Sequence, residues 1–87
     1  EYQQAIDYSE RALSIWQNLL PLNNRRLATS FNNIAGVYDN MGEYSKALDH
    51  YEKALRMREK SLPANHPSVA TSYNNIAGVY KHMGEYS

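Results

Sequence analysis

From Tyr2 to Leu20 the apolar residues Tyr2, Ala5, Ile6, Ala12, Leu13, Trp16 and Leu20 recur at helical spacing, with Gln3, Asp7, Glu10, Arg11 and Gln17 between them. The pattern predicts a helix over 2–20, stopped by Pro21 and the turn-forming Asn23 and Asn24. A second helix is predicted over 25–41. At about 100° per residue, Leu27, Ala28, Ile34, Ala35, Tyr38 and Met41 lie within about 80° of Phe31 and form one apolar face. Gly42 supplies the positive φ that ends it. A third helix over 44–62 carries Tyr44, Ala47, Leu48, Tyr51, Ala54, Leu55 and Leu62 on one side. With so short a link, the second and third helices must fold back antiparallel. A fourth is predicted over 67–83, opened by Pro67 at the first helical position, capped by Asn65 or His66 and ended at Gly84.

These stretches are not independent. Residues 28–45 return almost letter for letter as 70–87, and at this 42-residue offset 25 of the 45 paired positions are identical. A fixed period of this size is the mark of stacked repeats. It divides the chain into 1–42 and 43–84, with 85–87 beginning a third unit. The absence of an initiator Met, the start within the Gly-Glu-Tyr turn and that third unit lead to the expectation of a fragment of a longer array. Alanines Ala5, Ala12, Ala35, Ala47, Ala54 and Ala77 recur at matched places, where larger side chains would hold helices apart. Tyr38, Tyr51 and Tyr80 are expected to fill the wider gaps, and Trp16 to pack in the core against the second helix. Arg58, at the equivalent place on the third helix, should pack its stem and reach water or a nearby carboxylate, with a functional anion site there as the less favoured reading.

Nine basic and nine acidic side chains cancel. That removes the electrostatic footprint of a nucleic-acid or anionic-membrane binder. No apolar run approaches the roughly 20 residues of a membrane span. Without cysteine there is no disulfide framework or thiolate metal site, which fits a reducing, cytoplasmic setting. His50, His66 and His82 fall on two helices and a loop, share no i,i+4 face and have no accompanying carboxylate cluster, so no metal site is expected. No nucleophile-base set or phosphate loop appears, and neither catalysis nor a cofactor is expected.

Phe31, Ile34, Ala35, Tyr38, Gly42, Tyr44, Ala47, Tyr51, Ala54 and Leu55, and again Tyr73 through Tyr86, carry a spacing that resembles the tetratricopeptide repeat. The 42-residue period, with Arg58, Asn65, His66, Pro67 and Asn74 to Ala77, is similar to the long repeats of kinesin light chains. The resemblance implies an all-α, right-handed superhelical solenoid of antiparallel helix pairs and a non-catalytic protein-interaction scaffold. It also implies that the second and fourth helices line a concave surface. Their polar stripe, Thr29, Asn32, Asn33, Gly36 and Asn40 matched by Thr71, Asn74, Asn75, Gly78 and His82, would face that groove and hold a peptide or partner helix. Side-chain amides offer donors and an acceptor to an extended backbone of any sequence. Interhelical hydrogen bonds are the plainer use of the same residues. Other readings are a spacer or self-associating array and the regulatory arm of a multidomain enzyme or signalling ATPase. Since the chain opens and closes on helices without their mates, head-to-tail self-stacking is also expected.

Overall fold

The computed structural model describes residues 2–19 and 25–86, the last by its backbone alone; Leu20 and the turn at Pro21, Asn23 and Asn24 lie outside the described residues. The architecture is all-α. Four helices follow one another, α1 (Tyr2–Leu19), α2 (Arg25–Met41), α3 (Tyr44–Ser61) and α4 (Pro67–Tyr86), and no strand occurs among the described residues. Most contacts run between sequence neighbours, α1 on α2, α2 on α3 and α3 on α4, with side-chain bonds also joining α2 to α4. Such a chain of nearest-neighbour packing is how stacked repeats share a core.

The α2–α3 turn shows how local sequence sets this arrangement. Gly42 takes φ 82°, the one positive φ among the described residues. Its N–H donates to the Asp39 carbonyl at 3.0 Å and the Glu43 N–H to the Tyr38 carbonyl at 2.9 Å. This pair of bonds satisfies the last carbonyls of α2 and reverses the chain within two residues. The start of α4 is built differently. Pro67 takes the first helical position, and the His66 ring Nδ1 accepts the Ser68 backbone N–H at 3.0 Å, so His66 is the cap.

Gly84 departs from expectation. It does not end α4, which continues as helix to Tyr86. In the first period, α3 packs down immediately after the turn and stabilises it. No helix packs beyond Gly84 among the described residues, and glycine's cost of about 1 kcal/mol in a helix interior is too small to break the ladder alone.

The core is centred on α2. Leu27, Phe31, Ile34, Ala35 and Tyr38 are buried together with Ile6 and Leu13 of α1 and Ala47, Tyr51 and Ala54 of α3, while Val79 of α4 joins from beyond. Three of the alanines, Ala35, Ala47 and Ala54, are fully enclosed. Ala5, Ala12 and Ala77 are not, and the expectation of tight packing fails for them. They sit on the outward faces of α1 and α4, where no neighbouring helix presses on them. Trp16 also falls outside the core. It is 37% exposed and leans on the first turns of α2 beside Arg25, Arg26, Thr29 and Ser30.

Candidate functional site

The polar side of α2 and the adjoining part of α4 enclose an open depression of about 400 Å³, lined by Asn32, Asn33, Gly36, Val37, Asp39, Asn40, Tyr51 and Asn75. Four residues of the α2 stripe, Asn32, Asn33, Gly36 and Asn40, therefore meet in one place. Only Asn75 of the α4 stripe joins them. Asn74 and Gly78 do not line it, and Thr71 turns its hydroxyl back to the Pro67 carbonyl at 3.0 Å. Thr29 belongs to a neighbouring cavity at the start of α2.

The two helices are joined across the depression by side chains. Asn75 Nδ2 donates to Asn32 Oδ1 at 3.1 Å. Whichever way the amides are turned, one NH2 group and one carbonyl oxygen remain of the pair, so the bridge still offers a donor and an acceptor. Near the other end His82 Nδ1 donates to Asp39 at 2.9 and 3.0 Å from its two carboxylate oxygens. With a side chain 42% exposed on the imidazole side, this pair is worth at most about 1 kcal/mol. Asn32, Asn75 and His82 thus make bonds between repeats. Asn33 and Asn40 are exposed and keep their amides for solvent or a partner.

Gly36 lies beside the Tyr51 hydroxyl, which a Cβ placed there would meet at 3.4 Å, a van der Waals contact. Burial, and secondarily the Asp39 charge, pushes the Tyr51 phenol above its usual range. It remains a neutral donor and acceptor through ordinary pH. On the opposite side of α2, Tyr38 donates to Glu10 of α1 at 3.2 Å, and the His50 ring of α3 lies 3.5 Å from the same carboxylate. Burial first, then Glu10, raises the Tyr38 phenol too. Those polar tips tie three helices together away from the depression.

One arrangement was not legible in the sequence. Arg58 reaches no carboxylate among the described residues. Its Nη1 donates to the buried Ser72 hydroxyl at 2.8 Å and to the Ser68 carbonyl at 3.4 Å. The only hint was Arg58 itself, a cation on an otherwise apolar face. Among the described residues no group of three His, Asp or Glu side chains is placed to hold a metal, and no helix is long and apolar enough to cross a membrane.

A comparison with curated protein sequences returned no significant match. The tetratricopeptide repeat profile, in contrast, matches residues 1–60 and again 26–87, two overlapping stretches that together take in the whole chain. Repeats of this kind are in general non-catalytic scaffolds for contacts between proteins. With its period, its helix hairpin and this match in agreement, the chain belongs to the tetratricopeptide repeat family.

Proposed function

We propose that this chain holds an extended peptide segment or a partner helix in the depression on the polar side of α2, as the concave groove of a scaffold. The observation that supports it is the cluster of Asn32, Asn33, Gly36, Asn40 and Asn75 around one open space. Amides that present both donor and acceptor suit a peptide backbone whatever its side chains. The similarity of the 42-residue period to kinesin light chain repeats favours a protein ligand, and the absence of cysteine suits an intracellular setting. The test is a peptide-display screen followed by Asn33→Ala and Asn40→Ala, two exposed positions that bear no core contact. Affinity is expected to fall several-fold with the melting temperature unchanged; unaltered affinity in both variants would sink the groove reading.

Self-association is a second reading, favoured by exposed apolar surface at the far side of α4. Tyr73 and Tyr80 are 53% and 56% exposed, yet their counterparts Phe31 and Tyr38 are covered. On α1 of another chain, Ala5, Ser9 and Ala12 stand where Ala47, Tyr51 and Ala54 stand on α3, which packs on α2. Docking that α1 on this α4 joins different patches and would propagate as an open filament. The apolar gain is offset by lost rotational and translational freedom, so association should be weak. Sedimentation that stays monomeric across a wide concentration range would rule it out.

A further inference from the structure

Where the first turn of α2 and the start of α4 meet the last turn of α3, the chain encloses a cavity of about 230 Å³. Arg25, Arg58 and His66 line it, with Thr29 and Ser68, and no acidic residue does among the described residues. A neutral chain with as many carboxylates as cations has thus placed two arginines around one space with no acid in its described lining. Arg58 is half-buried and, among the described residues, bonded only to neutral acceptors, the Ser72 hydroxyl and the Ser68 carbonyl. The adjacent acid on the same helix is engaged elsewhere, since Glu59 accepts the Tyr73 hydroxyl at 2.9 Å. A guanidinium carries five donors in a planar fork, and the bonds to Ser72 and Ser68 leave most of them over. Because His66 Nδ1 accepts the Ser68 N–H, the neutral imidazole carries its proton on Nε2 and adds a further donor to the lining.

We propose that this cavity is an oxoanion site, taking a carboxylate or phosphoryl group between Arg25 and Arg58. The group comes from a side chain of a peptide lying in the neighbouring depression, to which Thr29, a turn away from Asn32 and Asn33 on the same stripe, gives continuity. For the source of the anion this rests on the groove reading; for the site itself it does not. Burial without a compensating charge holds the Arg58 guanidinium below its usual range, the condition an entering anion would relieve. Bidentate pairing with a carboxylate or phosphate is the geometry for which an arginine fork is suited.

The site is tested by a chemical-shift titration of the 87-residue chain with inorganic phosphate and, separately, with acetate. Saturable shifts confined to the cavity lining are expected, weakened about fivefold or more by R25Q and by R58Q and weakened by added sodium chloride. Arg25 is exposed and outside the core, so R25Q decides the matter even if R58Q fails to fold. Shifts that are absent, spread over the surface or unchanged in R25Q would overturn the site. The response to phosphate against acetate then assigns the phosphoryl or the carboxylate source. For the peptide, matched acidic and uncharged sequences are compared: an acidic preference lost in R25Q supports the assignment. Equal binding of the uncharged peptide overturns a peptide anion as the occupant while leaving the groove standing. Ion binding with no peptide binding does the reverse, upholding the site and refuting the groove.

Discussion

Helices α2 and α4 carry nearly the same sequence and live in different surroundings. Residues 28–45 and 70–87 differ only where Phe31, Asp39 and Asn40 face Tyr73, Lys81 and His82. On α2, α1 covers one side and α3 the other, so Phe31, Ala35 and Tyr38 are buried. On α4, α3 covers one side and α2 touches its edge, and no helix among the described residues covers the other side. Val69, Ser72 and Val79 are buried, whereas Tyr73, Ala77 and Tyr80 face outward. The lesson is that an apolar face licenses burial but does not cause it; a neighbour does. Hydrophobic stabilisation follows area removed from water, so the same residue contributes in one helix and little in the other.

The difference can be broken first at the aromatic pair. Phe31→Ala is expected to cost about 3–5 kcal/mol, and Tyr73→Ala, which loses a surface hydrogen bond and no core, under about 1 kcal/mol by chemical denaturation. Equal losses would show that α4 is covered in solution. Next come the alanines. Ala35→Leu should overpack the α2–α3 contact and cost about 1–3 kcal/mol, while Ala77→Leu stays within about 0.5 kcal/mol. The glycines sharpen the contrast to a difference of sign. Gly42→Ala forces an L-residue into positive φ and should destabilise by about 1 kcal/mol; Gly84→Ala, helical and with open space about its Cβ, should stabilise by up to about 1 kcal/mol. Thermal melts of the two variants displaced in the same direction would contradict the helix running through Gly84.

The smallest effect is on tyrosine ionisation. Burial raises Tyr38 and Tyr51, so folding favours their protonated forms. The sign is therefore fixed: that stability is present below the unfolded phenol's pKa, near 10, and is lost as pH rises through the higher folded values. An absorbance titration should show a late class of phenols that shrinks in Tyr38→Phe. A titration curve unchanged by that substitution would place Tyr38 among the ordinary ones.

The four helices were legible because periodicity, Gly42 and Pro67 are local signals, and each acts within a turn or two. Burial on α1 and α4 was not legible, since Trp16, Ala12 and Ala77 look the same in sequence whether or not a helix presses on them. The stripe on α2 could be read as one surface from angular position alone. Its pairing with α4 could not, because the bridge runs from Asn32 to Asn75 and not to Asn74, its counterpart in the period. Helical wheels describe one helix at a time, and the rotation between neighbours is set by packing.

Both bridges, Asn32 to Asn75 and Asp39 to His82, span 43 residues, one more than the period. Across this contact α2 therefore meets α4 one position out of step, so that Asp39 faces His82, the counterpart of Asn40, and not Lys81, its own counterpart. Positions 39 and 40 are also where the near-copies diverge, with Lys81 and His82 standing for Asp39 and Asn40. Permuting the units would consequently not be silent. Were the 25–41 sequence set in the place of 67–83, an amide would stand against Asp39 in place of the imidazole; with the order inverted, Lys81 would meet Asn40. Two of the three letters that change between the near-copies thus lie at or beside the contact between α2 and α4, where a substitution alters a bond between repeats and not the core.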